Sequence, residues 1–327
     1  MKPSPLCIYC ETSDLKEGLF GQVFLFLFEI LPYLHKRSIY PAWEIRSKHY
    51  GPPPDHIAVP GVLDLAYTPP PGPYRRVPLF KLRARYSSAL GNKWSELSEL
   101  WHAYFKVPQR VIDQADALPP LHNALGIHYR GNDKFTGNFD SNPITHEDYL
   151  TLITEFLATR PETELIFAAT DDFAFVHKLR ATVSLPILNL GEIGFHKAEV
   201  SGLDLMEKAD RALLDCLLIS RCRTALQTSS ALPSFAKVLN PDLEMYRCAS
   251  SKLFAPLPYF PVAYIPPVSL KTTRAVEILT TTMQHDWTSI RKARKFRSSF
   301  IHRPQRPVQH HLWQLADTLA APFSGGE

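Results

Sequence analysis

The chain has little cysteine: five residues in 327. An odd, sparse set at positions 7, 10, 216, 222 and 248 argues against a disulfide framework and for a reduced compartment. Cys7 and Cys10 have C-x-x-C spacing. In a strand, residues three apart point to opposite faces, which favours plain strand cysteines over a redox or zinc pair. Long apolar runs are also missing. The most apolar stretch, LFGQVFLFLFEILPYL, contains Gln22, Glu29 and Pro32 and falls short of the roughly 20 residues a spanning helix needs. No basic segment followed by an apolar one opens the chain, so no secretory signal is expected and the default location is cytoplasmic. Charge of one sign is lacking too. Lys and Arg total 36 against 32 Asp and Glu, a net +4, too mild to demand nucleic acid as a partner. What the chain does have is proline, 29 residues. Much of it clusters in GPPPDH and YTPPPGPYRRVP, read as stiff extended loops between apolar runs.

The length suits about two ordinary domains. PLCIYCE predicts a strand, SDLKEGLFGQ a loop, VFLFLFEILPYLHKR a helix and SIYPAWEI a second strand, a unit proper to a parallel sheet. The proline-rich stretch from about 51 to 80 interrupts it. NKWSELSELWHAYFKVPQRVIDQADA predicts a helix with Trp94, Leu97, Trp101 and Phe105 on one face. A second alternation begins near 121. NALGIHY is a strand; PITHEDYLTLITEFLATRP is a helix capped by Thr145 with Asp148 at its third position. TELIFAAT, LPILNL, RTALQT and EMYRC are strands. DDFAFVHKLRA, SGLDLMEKADRALLDCLLISRC and SSALPSFAKVLN are helices; in the second of these Met206, Ala209, Leu213 and Leu217 share a face. This is a doubly wound α/β domain, with ligands expected at the C-terminal ends of its strands. Beyond about 262 the pattern weakens to two helices, TTRAVEILTTTMQHDW and QHHLWQLADTLAAPF. The expected division is 1–120, 121–264 and 265–327.

Four features fall where such a sheet binds ligands. In HYRGND, His128, Arg130 and Asp133 follow a strand. Arg130 offers a planar fork for two phosphate oxygens, His128 shares its face, and Asp133 can orient the guanidinium; a structural Arg–Asp pair is the plain alternative. In FAATDD, Asp171 and Asp172 open a helix, where Asp is a favoured cap; paired carboxylates could also bind a metal, but no second acidic cluster accompanies them. Asp215, between Leu pairs, is costly to bury unless paired or exposed. With Asp204, Lys208 and Arg211 it forms either a solvated polar stripe or a ligand-facing carboxylate able to accept from a guanine edge. In QTSSALPSFAKV, Thr228, Ser229 and Ser230 precede a helix with Pro233 in its first turn. Free N–H groups and hydroxyls there suit a phosphate, or the serines simply cap. No compelling metal cluster is present.

The order of these features resembles the GDP-fucose-dependent fucosyltransferases, above all the α1,6-enzymes of the nodulation-factor and N-glycan-core type, with the protein O-fucosyltransferases more distant. Their H-x-R-x-x-D motif is matched by His128, Arg130 and Asp133. Their His-Pro-Ile-Glu-Glu-Tyr helix start is similar to NPITHEDYL. Their Ala-Thr-Asp-Asp is matched by Ala169 to Asp172, and their Asp upstream of Thr-x-Ser-Ser by Asp215 and Thr228 to Ser230, one residue shorter. The likeness covers roughly 121–240. More weakly, EGLFGQVFLFLF, with Gly18, Gly21 and Gln22, looks like the family's Gly-rich first loop; an ordinary strand–helix turn is the alternative.

The resemblance implies a GT-B fold, α/β, with two Rossmann-like domains whose parallel sheets face a cleft and a C-terminal segment packing back on the first domain. It implies an inverting, metal-independent transferase that moves fucose from GDP-fucose, its donor substrate, to a glycan or lipo-oligosaccharide hydroxyl, with no other cofactor. Arg130 and residues 228–230 would hold the diphosphate, His128 the nucleotide or β-phosphate, Asp215 the guanine; Asp133 would hold Arg130. The family's base position falls on Asn138, which takes no proton, so Asp140 is the substitute and Asp171 or Asp172 the fallback. This departure makes core-glycan fucosylation a poor match, and no Golgi-type anchor is visible. Another GDP-sugar, or a nucleotide- or glycan-binding protein that has lost its base, are the other readings.

Overall fold

The structure is a computed structural model that describes residues 5–11, 18–82, 94–130, 144–191, 205–228 and 230–248, with the backbone of three two-residue strands further on. Its described residues divide into two units: 5–82 with 99–106, and 94–98 with those between 107 and 285.

The first unit begins with β1 (Leu6–Cys10) and α1 (Leu19–Leu25), followed by a π-helical turn (Phe26–Ile30) and α2 (Leu31–Lys36). The apolar run thus starts its helix four residues before the expected Val23 and widens in the middle. Pro32 has no N–H for the carbonyl of Phe28, and the chain passes this point by a wider turn in which the N–H of Leu31 bonds Phe26 O. Nearly every side chain of the run is buried. Phe26 packs on Trp43 and Phe105, with ring centroids 5.6 and 6.0 Å away. The strands β2 (Ala42–Arg46), β3 (Ile57–Val59), β4 (Asp64–Leu65) and β5 (Arg75–Pro78), then α3 (Leu79–Leu82), complete this part of the chain. The sheet order is β3-β2-β1-β5, with β1 parallel to β2 and β5, and β3 antiparallel at the edge. Both outer strands come from the proline-rich stretch expected to be loop, and edge strands are where a sheet tolerates proline.

The stretch expected as one helix over 92–117 is broken. α4 (Trp94–Tyr104) ends in β6 (Phe105–Lys106), which pairs with β4, and α5 (Gln109–Asp116) restarts after Pro108. Proline lacks the N–H an unbroken helix needs there. Trp94, Leu97, Trp101 and Phe105 are nonetheless all buried.

In the second unit come β7 (Ala124–Tyr129), α6 (His146–Ala158), β8 (Leu165–Thr170), α7 (Phe173–Thr182), β9 (Ile187–Leu188), α8 (Leu205–Arg221), β10 (Thr224–Gln227), α9 (Ala231–Leu239) and β11 (Glu244–Cys248). After them follow β12 (Leu253–Phe254), β13 (Tyr264–Ile265) and β14 (Gln284–His285). The sheet is six-stranded and parallel throughout, in the order β9-β8-β7-β10-β11-β13. Counted from β7 this is 3-2-1-4-5-6, the order of doubly wound dinucleotide-binding sheets. β14, inside one expected C-terminal helix, pairs with β12 instead; the rest of those two helices lies outside the described residues.

The two faces of this sheet are distinguishable. Leu125, Ile127 and Tyr129 join Ile153, Phe156, Phe175 and Leu179 in one apolar cluster under α6 and α7. By the two-residue period of a strand, Gly126 and His128 face the other way. A Cβ on Gly126 would stand 3.2 Å from Cys222 Sγ, just past α8. Gly126→Ala is therefore expected to cost about 1 kcal/mol by overpacking, read from the midpoint of urea unfolding. α8 packs against α9 and α5, and it too meets the sheet on β7 and β8. From α5, Arg110 grips Asp210 with Nε and Nη2, both at 2.7 Å.

Candidate functional site

In such a sheet the strand order reverses between its first and fourth strands, and ligands bind outside the carboxyl ends there. Here that point lies between β7 and β10, which pair up to His128 and Gln227. Beyond the last rung the two chains remain tied. Thr228 N donates to His128 O at 3.0 Å, and Arg130 N donates to Thr228 Oγ1 at 3.0 Å. Thr228 Oγ1 also lies 3.3 Å from His128 Nδ1. Since the threonine oxygen already accepts from Arg130, its own proton can go to Nδ1, and that tautomer leaves Nε2–H as a donor. From the other face, Tyr149 Oη donates to Leu226 O at 2.9 Å and to His128 O at 3.3 Å. Burial pushes the Tyr149 phenol well above its ordinary pKa, so it stays a donor.

The structure thus brings His128, Arg130, Thr228 and Ser230 together at one edge. His128, Thr228 and Ser230 are buried and Arg130 is half-buried. The Thr228 hydroxyl is committed to this knot, so it positions Arg130 and His128 and does not reach toward a ligand. Thr228→Val keeps the shape and leaves the Arg130 N–H without its acceptor. It is expected to cost about 1 to 3 kcal/mol, measured by urea denaturation. Ser230 occupies the N-cap of α9 but makes no capping hydrogen bond. Simple capping is therefore not what this serine does. Asp133, Asp140 and Ser229 lie outside the described residues.

Asp172 is the N-cap of α7: its Oδ1 accepts from Phe175 N at 3.1 Å. Its other oxygen meets His146 Nε2 at 2.8 Å. Asp172 is therefore spoken for, and a role as a lone base does not fit it. His146 opens α6 with its ring edge-on to Tyr129, centroids 5.0 Å apart. Sequence reasoning passed over it, although NPITHEDYL was singled out for its likeness. Asp171 is half-buried beside the pair.

Asp215 lies on α8, 5% exposed. Desolvation pushes its carboxyl up to about 7, against the favourable charge of Arg211. Lys208 is buried too, and burial pulls its ammonium pKa down. Of the two readings of this helix, the solvated stripe does not hold: Lys208 and Asp215 are buried and Arg211 is half-buried; Asp204 lies outside the described residues. Two further polar residues were missed. Gln227 and Arg247, both fully buried, stand in register with His128 on β10 and β11. A polar residue ending an apolar strand is the signal that would have found them.

Gly18, Gly21 and Gln22 belong to the first unit. Gly18 is the N-cap of α1, with φ −64° and ψ 166°, angles open to any residue. Gly21 and Gln22 are inside α1, so the expected Gly-rich loop does not extend to them. Among the described residues, no group of three or more His, Cys, Asp or Glu could hold a metal ion, and no helix is long and apolar enough to cross a membrane.

No protein-family model matches the chain, and no curated protein matches it. Among solved structures it is similar in fold to the fucosyltransferase NodZ from Bradyrhizobium, with 15% identity, TM-score 0.44, and 73% of this chain and 94% of that one covered. It is also similar to a mutant Arabidopsis thaliana FUT1 in complex with GDP, with 10% identity, TM-score 0.45, and 75% and 71% covered. A third is POFUT1 in complex with GDP-fucose, with 10% identity, TM-score 0.34, and 75% and 74% covered.

Proposed function

We propose that this protein is an inverting, metal-independent glycosyltransferase that moves fucose from GDP-fucose to a hydroxyl of a glycan or lipo-oligosaccharide. The observation that carries the reading is the knot at the switch point, where Thr228 holds the strand ends of His128 and Arg130 beside the uncapped start of α9. In fucosyl transfer the acceptor oxygen bonds to the anomeric carbon as the bond from that carbon to the β-phosphate oxygen breaks. Negative charge collects on the departing diphosphate, and fixed donors must receive it. Arg130, the N–H groups at the start of α9 and His128 Nε2–H are those donors in this reading. Asp215 binds the guanine, and Asp133 orients Arg130. The acceptor proton needs a base. His146, oriented by Asp172, takes that role better than Asp172 alone, because the imidazole keeps Nδ1 as an acceptor while Nε2 is held by the carboxylate. The first unit admits the acceptor.

Isothermal titration with GDP and GDP-fucose tests the donor site. Arg130→Ala is expected to weaken both by about tenfold to a hundredfold. Unchanged affinity in this variant would remove Arg130 from the site, and a wild-type protein that binds neither nucleotide would end the reading.

A further inference from the structure

Helix α8 carries two opposite charges that do not close on each other. Arg211 and Asp215 are one turn apart, a spacing at which a guanidinium and a carboxylate on one face readily pair. Among the described residues neither makes a hydrogen bond or an ion pair, so they stand beyond the 4.0 Å of a salt bridge. Yet Asp215 is 5% exposed and Arg211 half-buried, and each feels the other's charge. Burying a carboxylate without hydrogen bonds is strongly unfavourable. The arrangement makes physical sense when a third group bridges the gap.

The surroundings fit such a group. α8 covers the sheet face from which His128 projects, as the approach of Cys222 to Gly126 shows. Arg211 reaches the carboxyl end of the same sheet: its Nη2 lies 3.9 Å from where a Cβ on Gly191 would be, just past β9. Gly191 has φ +93°, a left-handed conformation that glycine adopts without strain. Arg211 thus stands at the carboxyl edge of the sheet whose β7 and β10 ends carry the knot of His128, Arg130 and Thr228.

We propose that Arg211 is a specificity-determining residue that reads the O6 and N7 acceptors of a guanine whose N1–H and N2 amine donate to Asp215. This rests on the GDP-sugar reading above and adds to it a second reader of the base. Guanine presents two adjacent donors and then two adjacent acceptors around one side of its rings. A carboxylate followed by a guanidinium is the complementary set. Adenine sets its 6-amino donor against the guanidinium and its N1 lone pair against the carboxylate, two repulsive contacts, so the same pair rejects it.

The test is isothermal titration of the full chain and its Arg211→Ala, Arg211→Lys and Asp215→Asn variants with GDP, IDP, 7-deaza-GDP and ADP. IDP lacks the 2-amino group and 7-deaza-GDP lacks N7. Wild type is expected to bind GDP about tenfold tighter than either analogue, since a bidentate contact to a base edge is worth a discrimination of this order. Arg211→Ala loses the penalty against 7-deaza-GDP and keeps that against IDP; Asp215→Asn does the reverse. Arg211→Lys retains the charge and loses the fork, so it also loses most of the 7-deaza penalty. GDP binding with the 7-deaza penalty intact in Arg211→Ala overturns this inference alone. Failure of wild type to bind GDP overturns the GDP-sugar reading and this inference with it.

Discussion

Asp215→Asn is expected to make the protein more stable at neutral pH and weaker in binding GDP. The carboxyl has an ordinary pKa of 3.8 and is pushed up to about 7 by burial in the folded chain. Below 3.8 both states are protonated and the folded protein has the full benefit of the neutral group. From there to about 7 the unfolded chain ionises and the folded one does not, so stability falls as pH rises, by about 1.4 kcal/mol per unit at most. Above about 7 both ionise and the fall stops. The whole swing is on the order of 4 kcal/mol, and Asn, which cannot ionise, lacks it. Urea denaturation of both proteins from pH 4 to 8 should show two curves that converge in acid and separate by pH 7. Parallel curves would mean that Asp215 is not buried in this way. With GDP present the sign reverses. The guanine donors favour the carboxylate form, so wild-type affinity should tighten as pH rises toward 7, and the Asn variant should not follow. A residue that costs stability and is repaid only by a ligand is what a binding site built into a core helix requires.

The second large effect concerns transfer. His146→Gln and Asp172→Asn are each expected to slow fucosyl transfer by roughly 10²- to 10⁴-fold, the usual contribution of a general base. GDP affinity should stay within about twofold, because neither residue is assigned to the donor. Asn is as good a helix N-cap as Asp, so Asp172→Asn separates the orienting role from the structural one. Single-turnover assays on a panel of purified glycan acceptors would measure both. Transfer that continues at the wild-type rate in His146→Gln returns the base to Asp140 or Asp171.

The alternation from residue 121 to 248 was legible because each strand and helix there carries its own period and punctuation. Thr145 shows this locally: it does cap α6 by accepting from Asp148 N, at 3.1 Å. The motif positions His128, Arg130 and Thr228 were likewise legible, since a polar residue at the end of a buried strand contradicts its surroundings. What local pattern could not carry was anything settled by distant partners. The spacing of Lys208, Arg211 and Asp215 fits a solvated face and a ligand-facing one equally well when α8 is considered alone; their burial is set by elements distant in sequence, since α8 packs against α5, α9 and the sheet. His146 reads as a helix-start residue until β8 delivers Asp172 beside it. The switch from helix to strand at Phe105 depends on β4, 40 residues back, and the break at Pro108 is hidden in the sequence by an apolar face that continues on either side.

The clasp between Arg110 and Asp210 also governs how the molecule can be cut. A fragment begun at residue 121 would strip α5 from α8 and bare the flank of the helix that carries Asp215. A fragment begun at residue 107 keeps that cover. Any attempt to isolate the nucleotide-side half for calorimetry or crystallisation should therefore start upstream of residue 121, where the second alternation of strands and helices begins.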